Sequence, residues 1–211
     1  MTNDSKNIEH EVIASLIREG SSVLDLGCGT GDLLAALEKV KKCKVQGIEI
    51  DEQAIYKCVA KGLSVMQGDI DSGLGDYPQK SFDYVILNQS FQQVKKPDVV
   101  LRESLRIGKE VIVGFPNFAH WSARCQMFFR GRTPVTPSLP FEWYNTPNLH
   151  FLSITDFIVY CRKNRICIER SLFTGRYGSV HILPDLFAGA AIFLLSDRNN
   201  TNIILESGRK V

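Results

Sequence analysis

The sequence of 211 residues lacks paired cysteines, long apolar runs and an excess of one charge. Its six cysteines are scattered, with no CxxC and no paired Cys/His spacing, which argues against a zinc site and a disulfide framework. No apolar run reaches the ~20 residues that span a bilayer, and the N-terminus has no signal-peptide core. The formal net charge is +2, too small for a dedicated nucleic-acid binder. We therefore expect a cytoplasmic protein with reduced thiols, no metal, no membrane association and no nucleic-acid partner.

Composition and pattern indicate one domain over residues 1–211. Hydrophobic residues make up 44% of the chain, and a single core can serve this length. Short β-rich runs alternate with helical patterns, which is typical of parallel βαβ units. The predicted strands are 22–26, 44–50, 63–67, 81–87, 110–115, 165–173 and 190–195, and the predicted helices are 32–41, 52–61 and 98–106, with another starting at Ser153-x-x-Asp156. The polar tail from Asp197 is expected to fray.

The segment 115–151 breaks this pattern. It holds five of the eight prolines and nine of the twenty aromatic residues, without a sustained period of two or 3.6. Residues 121–129 can form a short helix within it. A long insertion after a late strand of an α/β sheet is usually a lid or a binding surface.

Glycines at alternate positions follow the first predicted strand, in the run from Val23 to Asp32. Such a loop lets the backbone approach a ligand closely. A dinucleotide fingerprint, GxGxxG, would place its third glycine at Asp32, whose charge would repel a pyrophosphate. The run instead reads DxGxGxG, from Asp25 to Gly31, which is the form seen in S-adenosyl-L-methionine (SAM) methyltransferases.

Polar residues follow the next three strands as well. Glu49 can accept from both ribose hydroxyls, Asp69 from an adenine amine with Ile70 against the ring, and Asn88, in Asn88-Gln89-Ser90, can meet the amino-acid end. Alone, each fits a turn or a helix cap, and Asp25 is expected to hold the loop by accepting backbone N–H bonds. The predicted cofactor site comprises Asp25, Gly27, Cys28, Gly29, Gly31, Glu49, Ile50, Asp69, Ile70 and Asn88.

A methyl acceptor is harder to identify. The Asp/Asn-Pro-Pro-Tyr/Phe motif of amino-methylating enzymes is absent after the fourth strand, where Leu87-Asn88-Gln89-Ser90 stands. The insertion contains four candidate proton acceptors: His120, His150, Tyr144 and Glu142. Residues of these types more often have a structural role than a catalytic one.

Arginines and aromatic residues alternate in the insertion. They could bind an anionic or nucleic-acid partner, but the favoured interpretation makes the aromatic residues a local core and the arginines its solvated rim. The set is Arg124, Arg130 and Arg132 with Trp121, Phe128 and Phe129.

The motifs together resemble those of the MetW family, methyltransferase-like proteins of bacterial methionine biosynthesis. The resemblance covers about residues 22–195 and is carried by VLDLGCGTGDLLAAL, GIEID, QGDID, SFDYVILNQSFQQV and above all FPNFAHW...RGRTPVT...LPFEWYNTPNLHF. It implies a Rossmann-like class I SAM-dependent methyltransferase fold, a mostly parallel seven-stranded sheet with helices on both faces. It places the SAM motif on Asp25, Gly27, Gly29 and Gly31, the ribose carboxylate on Glu49 and the adenine-side acid on Asp69, and supplies no catalytic residue.

The resemblance also implies a partner, homoserine O-acetyltransferase or O-succinyltransferase. The first hypothesis is therefore a SAM-binding protein that supports or regulates this acyltransferase, with segment 115–151 as the partner surface. The alternative is a SAM-dependent methyltransferase acting on a small metabolite, with the same segment as a lid and S-adenosyl-L-homocysteine (SAH) as product.

Overall fold

Strands and helices alternate through the first half of the chain in a computed structural model that describes residues 3–175 and 178–197. The strands are β1 (Ser22–Leu26), β2 (Lys44–Glu49), β3 (Val65–Gln67), β4 (Phe82–Asn88), β5 (Gly108–Pro116), β6 (Ile166–Gly175), β7 (Gly178–Ser179) and β8 (Ala190–Asp197). The helices are α1 (Asn3–Leu16), α2 (Asp32–Lys41), α3 (Glu52–Ala60), α4 (Pro97–Ile107), α5 (Trp121–Arg130), α6 (Ile154–Lys163) and α7 (Pro184–Phe187).

The strands form one sheet in the order β3-β2-β1-β4-β5-β8-β6-β7. Strands β1 to β5 pair in parallel, whereas β8 is antiparallel to both of its neighbours, β5 and β6. The chain order reverses between β1 and β4, because β2 and β3 lie on one side of β1 and β5 lies beyond β4. In open α/β sheets a ligand crevice forms at such a point, at the carboxyl ends of the strands.

Helices cover both faces of the sheet. On one face, Ile13 of α1 and Leu37 of α2 belong to the same buried cluster as Ile86 of β4. On the other face, Phe157 of α6 shares a buried cluster with Val85 of β4. Neighbouring residues of β4 therefore contribute to opposite layers, which explains why this strand is a continuous apolar run.

Helix α6 begins where its sequence indicates. The amide of Asp156 donates to Ser153 Oγ at 3.0 Å, and the amide of Ser153 donates to Asp156 Oδ2 at 3.1 Å. This capping box satisfies two backbone donors that the helix itself cannot. It fixes the position of Phe157 and Cys161, which are both buried against the sheet.

Three features differ from the sequence predictions. Helix α1 was not predicted, and the two-residue strand β7 gives the sheet eight strands where seven were expected. The strand predicted at 63–67 begins only at Val65. The tail after Asp197, expected to fray, lies outside the described residues.

The insertion 115–151 contains one helix, α5, close to the predicted 121–129. The rest is irregular and contacts the loop after β4: the amides of Leu149 and His150 donate to Gln92 O at 2.9 and 3.0 Å. Those contacts bring the insertion to the carboxyl ends of the strands. Within residues 3–175 and 178–197, no helix combines the length and apolar character needed to cross a membrane.

Candidate functional site

A cavity of about 650 Å³ opens at the carboxyl ends of β1, β2 and β4. Small-molecule sites usually measure ~300–1,000 Å³, so its size suits a cofactor. Gly31 is the one predicted site residue that does not line it. The nine that do are Asp25, Gly27, Cys28, Gly29, Glu49, Ile50, Asp69, Ile70 and Asn88.

Two glycines of the loop after β1 differ in what the missing side chain allows. Gly27 has φ +80°, and a Cβ there would lie 2.8 Å from the Cβ of Ser90, so only glycine permits this packing. Ser90 is fixed in turn, because its Oγ donates to Leu26 O at 2.6 Å. Gly29 has φ +54°, and a Cβ there would meet nothing within 4 Å. The space beside Gly29 is therefore open for a ligand to approach the backbone.

Glu49 holds the glycine loop from the end of β2. Its Oε2 accepts from the amide of Gly29 at 2.7 Å, and its Oε1 accepts from the amides of Ile50 and Asp51 at 2.8 and 2.9 Å. A carboxylate offers about four acceptor positions. Three are used in this structure, so at least one remains for a ribose hydroxyl.

Asp25 does not hold the loop, so that expectation is wrong. The amides of Gly27 and Cys28 donate to Ile48 O at 2.8 and 3.2 Å, and Gly29 is held by Glu49. Asp25 is only 4% exposed, yet no donor or cation of the described residues lies within bonding distance of its carboxylate. Burial, and then the negative charge of Glu49, raise the pKa of Asp25 to about 7.

Polar groups after β3 and at the end of β4 complete the predicted site. Asp69 Oδ1 accepts from the amide of Asp71 at 2.9 Å, so one oxygen remains for a ligand. Asn88 Oδ1 is buried with no hydrogen-bond partner among the described residues, and a Cβ on Gly114 would collide with it. An unpaired buried amide oxygen costs free energy, and Asn88 itself lies at the cavity wall.

Helix α1 supplies a wall that sequence reasoning missed, and the insertion, expected as a lid or binding surface, lines the cavity through residues that were not named in advance. The lining residues are His10 from α1, Ser138, Pro140, Phe141 and Asn148 from the insertion, and Gln92 from the loop after β4.

Helix α1 is tied to the loop after β4. Gln89 Nε2 donates to Glu9 Oε2 at 3.0 Å, and Gln89 has φ +60°, which is unusual for a residue with a Cβ. No local sequence motif indicates that α1 docks at this loop or that the insertion folds back onto the carboxyl ends of the strands.

The proposed proton acceptors lie elsewhere: His120, His150, Tyr144 and Glu142 do not line the cavity. His120 caps α5, accepting from the amide of Ser122, and its burial lowers its pKa. His150 Nε2 lies 3.0 Å from Val94 O. Both histidines therefore have the structural roles that we weighed against catalysis. The described residues contain no group of three or more His, Cys, Asp or Glu suited to a metal.

The aromatic residues of α5 are not a local core, which corrects the favoured interpretation. Phe128 is 82% exposed and Phe129 is 77% exposed, and their rings contact each other edge to face. Trp143 and Tyr144 form a second exposed pair with the same geometry. We call these four residues the exposed aromatic pairs.

The arginines are solvated, as expected. Arg124 forms an ion pair with Asp185 at 2.8 Å, and Arg130 and Arg132 are exposed.

Comparison with known proteins identifies relatives over nearly the whole chain. A family model described as methionine biosynthesis protein MetW matches residues 7–195. A bifunctional methionine biosynthesis protein MetXA/MetW of Rhodopirellula baltica is 35% identical over 188 residues, which cover 85% of this chain. The match covers 30% of that relative, so the chain spans less than a third of its length.

Solved structures share the fold at low identity. A SAM-dependent methyltransferase of Thermotoga maritima aligns with a TM-score of 0.68 and 19% identity, over 92% of this chain and 90% of that one. A SAM-dependent methyltransferase of Archaeoglobus fulgidus aligns with a TM-score of 0.63 and 13% identity, over 91% and 97%. The predicted Rossmann-like class I methyltransferase fold is therefore confirmed, with an eighth strand added.

Proposed function

The chain belongs to the MetW family of methionine biosynthesis proteins, and from this premise we propose that it binds SAM and supports or regulates a homoserine acyltransferase. The acyltransferase is homoserine O-acetyltransferase or O-succinyltransferase, acting with this protein in the cytoplasm. The observation that carries the proposal is the cavity where the open glycine loop meets Asp25, Glu49 and Asn88.

The residues present fit SAM better than a dinucleotide. Gly29 leaves open space at the backbone, and Glu49 retains an acceptor for a ribose hydroxyl. Asp69 and Ile70 would face the adenine, and Asn88 the amino-acid end. Carboxylates line the cavity where a dinucleotide would bring phosphates, which they would repel. Bound SAM would supply a methyl group on a positively charged sulfonium.

The partnership is supported by the fused relative. A chain that carries MetXA and MetW parts keeps them at high effective concentration, as expected of two proteins that act together. In our proposal the MetXA part corresponds to the homoserine acyltransferase. The exposed aromatic pairs would supply the partner surface, because aromatic residues are enriched at interfaces and their hot spots.

The insertion contributes residues both to the cavity wall and to the proposed partner surface, which gives SAM binding a route to the partner. Ser138, Phe141 and Asn148 line the cavity, while Trp143 and Tyr144 are exposed. A coupling of ~1–3 kcal/mol between the two binding events would be enough for feedback.

The test mixes the purified protein with the homoserine acyltransferase. We expect a complex by analytical ultracentrifugation and a change in the acyl-transfer rate when this protein is added, both sensitive to SAM. No complex and no change in rate would reject the partnership.

The alternative, a methyltransferase acting on a small metabolite, is favoured by the way the insertion lines the cavity, as a substrate lid would. Its signature would be SAH formed from SAM in a mixture of metabolites without the acyltransferase. No catalytic residue is assigned in either case.

A further inference from the structure

Asp25 differs from every other acid at the cavity. Glu49 accepts three amide bonds, Asp32 Oδ1 lies 2.6 Å from Lys61 Nζ, and Asp71 accepts from the amides of Lys95 and Lys96. Asp25 is more deeply buried than these acids and has no bonding partner among the described residues. A buried carboxylate without a counter-charge is costly, so its presence at a cavity wall points to a cationic ligand.

The rest of the cavity does not supply that counter-charge. Glu49 adds a second negative charge close to Asp25. The other titratable or charged groups at the wall are Cys28 after β1, His10 from α1, Asp32 from α2, Asp69 and Asp71 after β3, and Lys95 after β4. Acids outnumber cations, which makes the cavity favourable for a positive charge and unfavourable for an anion.

We propose that Asp25 is the counter-ion for the sulfonium, so that the cavity selects SAM over SAH and releases a proton when SAM binds. The inference rests on the proposed SAM binding and adds its selectivity. SAH keeps the ammonium and the adenosine of SAM but has no sulfonium charge, so the comparison isolates that charge. The protein would then respond to SAM itself and not to its demethylated form.

The proton release follows from the protonation of Asp25 in the protein without ligand. Burial without a counter-charge raises the pKa of Asp25 to about 7, so near neutral pH part of the free protein carries its proton. A nearby cation favours the carboxylate, and the proton then passes to the buffer. A neutral sulfide would leave the protonated form in place.

Isothermal titration calorimetry tests the selectivity with SAM and SAH as probes. At pH 8 we expect wild-type protein to bind SAM roughly tenfold or more tightly than SAH, and the ratio to shrink at pH 6. Asp25→Asn should bind both within about threefold of each other at either pH. The matched control is Asp51→Asn, because Asp51 is an exposed helix cap outside the cavity and asparagine caps equally well. The control should keep the wild-type ratio.

Proton release needs no variant. Titrations of wild-type protein with SAM at pH 7, in two buffers of different ionisation enthalpy, should show a net release of protons on binding. Binding of SAM and SAH within threefold, with no proton released, would overturn this inference and leave SAM binding intact. Failure to bind SAM, SAH or adenosine would instead overturn the proposed function.

Discussion

Replacing Asp25 by asparagine should stabilise the fold at neutral and alkaline pH. Burial and Glu49 raise the pKa of this carboxyl from 3.8 to about 7. Between these values the unfolded chain has lost the proton that the folded protein keeps, so stability falls as pH rises. At about 1.4 kcal/mol per pH unit, the accumulated cost reaches about 4 kcal/mol above pH 7. Asparagine has nearly the same shape and no charge to bury.

Urea unfolding of wild-type and Asp25→Asn protein from pH 4 to pH 8 measures this cost. The quantity to follow is the difference between their unfolding free energies, because groups that titrate in both proteins cancel. It should grow in favour of the variant by about 4 kcal/mol over this range and level off above pH 7. A difference that stays constant within about 1 kcal/mol would refute the buried-charge argument.

Four further variants test the roles of the glycine loop, the exposed aromatic residues and the cap of α6. Gly29→Ala should cost about 1–2 kcal/mol in urea unfolding because its φ is +54°, and should weaken SAM binding roughly tenfold in calorimetry. Gly20→Ala, at φ +74° and away from the cavity, should cost the same stability but leave SAM affinity intact; equal affinities in both variants would contradict the assignment. The double variant Phe128→Ser, Phe129→Ser should keep its stability within about 0.5 kcal/mol and lose roughly tenfold or more in acyltransferase affinity by surface plasmon resonance. Undiminished affinity would place the partner elsewhere. Ser153→Ala should lower the Tm by roughly 2–4 °C, since a lost cap costs about 1 kcal/mol, and an unchanged Tm would rule out the capping role.

The sheet could be predicted from sequence because its signals are local. A strand buried on both faces must be apolar throughout, as in β4, where Val85 and Ile86 contribute to opposite layers. The glycine loop and the acids after β2 and β3 could be placed for a related reason. Parallel strands end at one edge of a sheet, so consecutive βα turns bring their residues together.

The walls of the cavity could not be placed in the same way, because long-range packing positions them. Helix α1 reaches the site through Glu9 and Gln89, which are 80 residues apart. Its helical spacing was visible in Ile13, Leu16 and Ile17, which are all buried, but nothing local indicated where it would dock.

The role of Asp25 was misjudged for a comparable reason. Hydrogen-bond acceptors compete for the same amides, and Glu49, 24 residues further along, takes the amide of Gly29. Which of two nearby acids accepts the backbone amide hydrogen bonds depends on distances that the order of residues in the chain does not specify.

The position of β8 has a consequence for how the protein is made. This strand lies between β5 and β6, although both precede it in the chain. As the polypeptide leaves the ribosome, β5 and β6 each have an unpaired edge until residues 190–197 arrive to fill the gap. Open edges are templates for pairing with other chains, so the nascent protein is most prone to aggregation during this interval. A chain that ends before residue 190 would lack the strand that joins β5 to β6. Its sheet would be in two separate parts with open edges, and it would need a chaperone to stay soluble.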